Sequence, residues 1–367
     1  MEAGAITPQL ISIMDNNYFV SLLRDLSDAF GPSNHEDQVR DLIRKTITPW
    51  VSDIRVDALG NMIAHRPGTN GMRLMLDAHT DEIGIMVRHI DSRGFVRFAT
   101  IGGWDDRMFP GHRVTFRSRS GGFYHGVIGM TPPHVLPPAQ REKAIAAEDY
   151  FVDLGVDSFD EASALGAAIG DPGTLAYPFQ QLKQDVYVGK AFDDRVGCLT
   201  VIGLIKALHE GEIKTEMDVY FNFATSEEVG LRGAGPAAFG IDPHVAIAFE
   251  GTIGSDFPGV PEEKRPCAQR KGPVITIADK SILVPRRMVD FMTECARELS
   301  VPYQYKMPIY GGTNAGAIHM TRAGILTGCI ATPCRYIHSP NTTLYWPDFE
   351  NTLRLAKRCV ERVHELV

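Results

Sequence analysis

The sequence predicts an α/β protein with a small β module inserted into it, and three observations carry that prediction. Helical and strand-like periodicities alternate up to residue ~83 and again after ~186. Between them, runs rich in Val, Ile and Phe are short and cut by Gly and Pro, the texture of a small β-barrel or sandwich. Five islands of His, Asp and Glu are spread along the chain: His79-Thr80-Asp81, Asp193-Asp194, Glu227-Glu228, Glu250 and His338. Four of the five follow an apolar, strand-like run. Strand ends of an open α/β sheet point into one crevice, where ligands bind. Residues more than two hundred positions apart can therefore share one site.

The elements follow in order. Residues ~16–46 are predicted helical, because Tyr18, Leu22, Leu23 and Leu26, then Val39, Leu42 and Ile43, recur at helical spacing around a Gly31-Pro32-Ser33-Asn34 break. Ser33 with Glu36 has the form of a capping box. Strand-like runs Ile54–Val56, Met62–Ala64 and Arg73–Ala78 follow. The β module reads as Ile85–His89, Gly94–Ile101, Arg113–Arg117 and Tyr124–Met130, with one helix, Phe159–Ala168, capped by Ser158. After ~186 come a helix (Asp194–Glu210), a strand (Met217–Ala224), a glycine-rich turn and strands Val245–Phe249 and Pro273–Ala278. A helix (Arg286–Leu299), a strand (Tyr303–Met307), a helix (Asn314–Arg322), a strand (Ile325–Ala331) and a C-terminal helix complete the chain. The domains read as 1–83 with 186–367 for the α/β part and 84–185 for the insertion.

Composition bounds the function. At 367 residues, 44% apolar and 22% charged, the chain is an ordinary globular one. A net charge of −8 with dispersed Lys and Arg gives no basic stripe for nucleic acid. No run approaches the ~18 consecutive apolar residues of a membrane span. Met1 to Asp15 lacks the pattern of a secretory leader. None of the 6 Cys forms a C-x-x-C pair, so they read as free buried thiols of a cytoplasmic protein.

The islands carry chemistry. In extended chain, i and i+2 point the same way, so Asp81 can take the ring N–H of a ligating His79 and fix its tautomer. Asp193-Asp194 opens a helix, where carboxylates either complement the dipole or bridge two cations. Glu227-Glu228 at a sheet end would repel one another unless cations compensate. One of the two can ligate while its neighbour acts as general base. Two metals sharing a bridging carboxylate need five ligating residues and a separate base. His79, Asp193, Glu228, Glu250, His338 and Glu227 match that count. Imidazoles and carboxylates without thiolate suit Zn²⁺- or Co²⁺-like ions.

These motifs, Leu76 to Gly84, Asp193 to Gly197, Glu227 to Ala234 and Arg335 to Pro340, resemble the tetrahedral (TET-type) dinuclear metallo-aminopeptidases. That family includes glutamyl and deblocking aminopeptidases and members labelled endoglucanase. Asp57 to Asn61, Ile101-Gly102-Gly103 and Gly311-Gly312-Thr313 extend the resemblance over nearly the whole chain. It implies a mixed-sheet α/β/α zinc-aminopeptidase-like catalytic domain and a PDZ-like β-barrel that dimerises, dimers building a tetrahedral dodecamer. It implies two divalent ions per subunit (Zn or Co, with Mn possible), one on His79 and Glu250, the other on Glu228 and His338, bridged by Asp193. Glu227 is then the general base, Asp81 orients His79, and the Asp193–Asp194 peptide is cis. Gly312, Thr313 and Asn314 fall on the substrate side. The family pattern has Asp where Glu250 and Asn314 stand.

The expected activity is metal-dependent removal of N-terminal residues from peptides with a free N-terminus. Alternatives are a deacylase or carboxypeptidase on the same two-metal site, and an endoglucanase using Glu227 and Glu228. The last fits poorly, because adjacent strand-end residues face opposite ways while glycosidase carboxyls flank one bond ~5–9 Å apart.

Overall fold

The computed structural model describes residues 8–135, 137–138, 145–307 and 309–367; Met1 to Thr7, part of the stretch read for a leader, lie outside them. Helices α1 (Pro8–Asp28) and α2 (Asp37–Ile47) precede strands β1 (Asp53–Val56), β2 (Met62–Arg66) and β3 (Arg73–His79). Then come β4 (Gly84–Ile90), β5 (Val96–Ile101), β6 (Arg113–Arg117), β7 (Phe123–Gly129), β8 (Phe151–Asp153), helix α3 (Phe159–Ala164) and β9 (Pro172–Leu175). The chain returns through β10 (Gln180–Lys183), β11 (Val186–Gly189), α4 (Phe192–His209), β12 (Asp218–Ala224), α5 (Ala234–Ile241) and β13 (Val245–Gly254). It ends with β14 (Val274–Thr276), α6 (Arg286–Glu298), β15 (Gln304–Lys306), α7 (Asn314–His319), β16 (Leu326–Arg335), β17 (Thr342–Tyr345) and α8 (Trp346–Arg362).

Period-two alternation builds the layers. On β3, Leu74, Leu76 and Ala78 join a core with α1, α2, α4, α6 and α8. Met75, between them, joins a smaller core on the opposite face with Ala237 and Ala238 of α5 and Ile318 of α7. The mixed sheet runs β1-β2-β12-β3-β13-β16-β17-β11-β10, with β14 branching from β16 and β15 pairing β14. Its centre, β12, β3, β13 and β16, is parallel. Strands buried on both faces explain why these segments read as continuous apolar runs.

The insertion closes into a six-stranded barrel, β4-β5-β8-β7-β6-β9. Its own core gathers Ile85, Val87, Val96, Phe98, Val114, Phe116, Ile128, Val152 and Leu175. Closure removes the exposed edges that short strands would otherwise present. Ser158 caps α3 as expected, its Oγ accepting from the Glu161 N–H at 3.2 Å.

Several expectations are corrected. The capping box fails: Glu36 precedes α2 without a side-chain cap bond. Ser33 Oγ instead donates to Asp81 at 2.6 Å, and Glu36 accepts from Thr225 Oγ and the Ser226 N–H. Tertiary partners outcompete the local turn. The run predicted to end at Phe249 continues to Gly254, because β16 pairs it residue for residue from Val245↔Leu326 to Gly254↔Arg335. The glycine-rich segment that the sequence predicts as a turn contains helix α5; its Pro236 falls in the first helical turn, where a missing N–H is harmless. All 6 Cys are free and buried. Among the described residues, no helix is long and apolar enough to cross a membrane.

Candidate metal centre

The four central parallel strands deliver the islands side by side. β3 ends on His79, β12 runs into Glu227 and Glu228, β13 carries Glu250, and β16 leads to His338. Helix α4 starts over these ends and brings in Asp193 and Asp194 through a cis peptide. Ala191, Ser226, Tyr336 and His338 adopt left-handed backbone at the corners of the site. Such conformations persist in non-glycine residues only where the surroundings hold them, and they cluster at functional sites.

Two imidazoles face one carboxylate. His79 Nε2 lies 3.3 Å from Asp193 Oδ1, 3.6 Å from Glu250 Oε2 and 3.8 Å from Glu227 Oε2. His338 Nε2 lies 3.5 Å from Asp193 Oδ2 and 3.3 Å from Glu228 Oε2. Each ring is turned by its other nitrogen. His79 Nδ1 meets the Asp81 backbone oxygen at 3.2 Å and its Oδ1 at 3.3 Å. His338 Nδ1 donates to the Gly103 carbonyl at 2.8 Å. Gly103 follows β5, so the barrel orients a residue of the site. A Cβ on Gly103 would sit 3.4 Å from that nitrogen.

The charge balance calls for cations. Burial, with the neighbouring carboxylates Glu228, Asp81 and Asp193, holds Glu227 well above the usual carboxylate range. Burial raises Glu250 likewise, helped by Asp194. Burial also raises Glu228. Burial opposes charging of the His338 ring, but Glu228 and Asp193 override it and push the group up to about 11. His79 is raised for the same reason, by Glu227, Asp193 and Asp81 against burial. Among the described residues, protonated imidazoles are the positive charges that pair with the four crowded carboxylates Asp193, Glu227, Glu228 and Glu250, which is the electrostatics of a divalent-cation site. His79 with Glu227 and Glu228, His79 with Asp194 and Glu250, and Asp193 with Glu228 and His338 each place ligand atoms within 4.8 Å of one another. The donor set fits divalent metal.

A second ring of polar groups, missed as such in the sequence, holds these side chains. Asp81 accepts the N–H of Glu227 at 2.9 Å and of Glu228 at 3.1 Å. Asp194 accepts the N–H of His79 at 3.1 Å and of Gly197 at 2.9 Å. Asn61 accepts the Thr225 N–H at 3.0 Å and donates to Gly233 O at 3.0 Å, stapling both ends of the Glu227 loop. The signal for these groups was polarity inside otherwise apolar runs.

A cleft of about 540 Å³ opens over the centre, lined by Asp193, Glu227, Glu228, Glu250 and His338, with Gly312 and Thr313 on another wall. Asn314 lies behind that wall rather than in it. It is fully buried, donates its side-chain N–H to Asp77 at 2.9 Å, and directs its backbone N–H at Glu250 over 3.4 Å.

Comparisons with known proteins show which family the chain resembles. The family model described as M42 glutamyl aminopeptidase matches residues 60–355. A lysyl aminopeptidase of Pyrococcus furiosus is 32% identical over 347 residues, 93% of this chain and 96% of that protein. The TET aminopeptidase of the marine sediment archaeon Thaumarchaeota archaeon SCGC AB-539-E09 superposes with a TM-score of 0.92 at 35% identity, covering 95% of this chain and 97% of that one. The TET1 peptidase of Pyrococcus horikoshii, which can assemble into a tetrahedron or a large octahedral shell, has a TM-score of 0.83 at 30% identity over 93% and 99% of the two chains. With the family model spanning most of the chain and these relatives matched nearly end to end, the chain belongs to the M42 glutamyl aminopeptidase family and is an aminopeptidase, a hydrolase that acts as an exopeptidase.

Proposed function

We propose that this aminopeptidase works through a dinuclear centre in which Asp193 is the shared ligand. The observation that supports this most is the placement of Asp193, one oxygen 3.3 Å from His79 Nε2 and the other 3.5 Å from His338 Nε2. His79 and Glu250 would hold one ion, Glu228 and His338 the other. When bound, two divalent ions (Zn²⁺ or Co²⁺, with Mn²⁺ also compatible with the donors) supply Lewis acidity at the scissile carbonyl and neutralise the carboxylates.

The protein's own groups do the rest. Glu227, kept basic by burial and by its carboxylate neighbours, takes the proton of the attacking water and returns it to the leaving amine. Asp81 holds His79 by Nδ1, and Gly103 holds His338. Gly312 and Thr313 wall the substrate, while Asn314 steadies Glu250 from behind. The free α-ammonium of the peptide meets a cleft carboxylate, which confines cleavage to the first residue.

Residues 1–83 with 186–367 form the catalytic unit and 84–185 the inserted, PDZ-like barrel, its return strand β10 lying in the large sheet. Assembly into a homo-oligomer, from dimer to tetrahedral dodecamer, is supported by the horikoshii shell and by the exposed Phe123 and Val127 on the barrel. Six reduced, buried thiols support a cytoplasmic setting.

The test is a panel of aminoacyl anilides run after strong chelation and re-addition of each metal singly. Activity should vanish on chelation and return with metal, while N-acetylated anilides stay intact. Turnover by the metal-free protein sinks the two-ion reading. Cleavage of blocked substrates alone turns the site into a deacylase.

A further inference from the structure

His338 stands on a turn between β16 and β17, and the backbone of that turn is conformationally costly. Tyr336 and His338 are both left-handed, with φ of 61° and 57°, and neither is glycine. Residues of this kind keep their conformation only where neighbours over-determine it. The Tyr336 carbonyl accepts from Ser339 Oγ at 2.6 Å and from Thr342 Oγ1 at 3.2 Å. The ring of Tyr336 packs on that of Phe257, 5.3 Å away. Arg335, the last residue of β16, grips Asp256 through two parallel bonds, Nε to Oδ1 at 2.9 Å and Nη2 to Oδ2 at 2.6 Å. Asp256 Oδ1 also accepts the Gln269 N–H at 3.3 Å, and the Gln269 side chain donates to the Thr343 carbonyl on β17 at 2.7 Å. The chain that follows β13 therefore straps both strands on which the turn is mounted.

From this we infer that Asp256 is a positioning residue for His338. Through the fork to Arg335 it holds the turn in the form that points the ring at Asp193 and Glu228. The inference rests on the two-ion reading of the same centre. His338 needs such support more than the other ligands do. Its side chain is 36% exposed, against 1% for His79, 12% for Asp193 and 5% each for Glu228 and Glu250. Packing thus fixes the other four, while His338 depends on its backbone and on the Gly103 carbonyl at Nδ1. That carbonyl sets the tilt of the ring and leaves the turn free. The fork supplies what is missing, because a guanidinium bonded twice to one carboxylate has a single orientation. Strand β13 then serves both ions. It carries Glu250 for one, runs in register with β16 as far as Gly254↔Arg335, and just beyond its end delivers Asp256 to hold the ligand of the other.

The experiment is calorimetric titration of the metal-free protein with Zn²⁺, for wild type, Asp256→Ala, Arg335→Lys, His338→Ala and the double variant Asp256→Ala with His338→Ala. Asp256→Ala should weaken one equivalent of metal by about 10–100-fold, the scale of losing a group that orients a ligand, and leave the other within about threefold of wild type. Arg335→Lys keeps the charge and loses the fork, so it should weaken the same equivalent by about tenfold or more. In the His338→Ala background, Asp256→Ala should change the remaining affinity by less than about threefold, because the clamp acts only through that ring. A general structural role would instead weaken both equivalents, or add its loss to that of His338→Ala; either result overturns the proposal. So does wild-type affinity for both equivalents in Asp256→Ala when His338→Ala loses one. If His338→Ala itself keeps both at wild-type affinity, the two-ion reading of His338 falls first, and the clamp with it.

Discussion

Glu227 and Glu228 are chemically identical neighbours with different surroundings, and the proposed division of roles rests on those surroundings. Glu228 turns to His338, 3.3 Å away, and Glu227 toward His79, 3.8 Å away. In the proposed mechanism, replacing Glu227 by Gln removes only the base. Turnover should fall by about 10²–10⁴, with metal content by elemental analysis unchanged; retention of about a tenth of the rate would withdraw the assignment. His338→Ala should instead lose one equivalent of metal, and two retained equivalents would exclude that ligand. The same ring predicts a pH effect. In the metal-free protein His338 is held near 11, so at pH values around 8 it is protonated. A ligating imidazole must be neutral, so metal uptake expels protons and apparent affinity rises with pH. Calorimetry in buffers of differing ionisation enthalpy should show this release.

At the scale of elements, the start of helix α4 is where local preference and site geometry conflict. Gly197 sits inside the helix, where Ala is ordinarily better by about 1 kcal/mol. A Cβ there would lie 2.2 Å from Asp194 Oδ1, the oxygen that accepts the Gly197 N–H. The clash wins over propensity: Gly197→Ala should destabilise by about 1–3 kcal/mol in denaturant unfolding. It should also weaken metal binding, since Asp194 positions the His79 backbone. A stabilised variant with intact metal affinity would show that Asp194 moves freely. The fate of the expected capping box has the same origin. Ser33 and Glu36 obey the local pattern, but they serve Asp81 and the Ser226 turn, partners 48 and 190 positions away.

At the scale of the whole molecule, barrel and catalytic layers are joined through a buried polar node. Lys190 donates to both oxygens of Glu82, at 2.7 and 2.9 Å, and to Ala29 O at 2.8 Å. Glu82 also accepts from Thr174 on barrel strand β9 at 3.0 Å and from the Gly31 N–H at 3.0 Å. Thus α1, β9, the segment after β3 and the approach to α4 meet at one carboxylate. Lys190→Met would leave that buried carboxylate with only the more distant Arg195, 3.8 Å away, as counter-charge, at a cost of about 3 kcal/mol. Equilibrium unfolding should register the loss, and a change under about 1 kcal/mol would mean that water reaches Glu82.

The sequence alone determined the α/β layering, because β3, β12, β13 and β16 announce themselves as apolar runs bounded by turn residues. It determined the insertion, whose short strands change the texture of the chain, and it singled out His79, Glu227, Glu228, Glu250 and His338 as polar residues where a strand should end. Only the tertiary structure decided which of these face one another. That depends on the strand order β12-β3-β13-β16 and on the register between β13 and β16, set by pairings across more than eighty residues. It also decided that Asn314 lies behind the cleft and that Lys306 lines it. A lone lysine on a short strand carries no periodic signal, and its place in the cleft wall follows only from the pairing of β14 with β15.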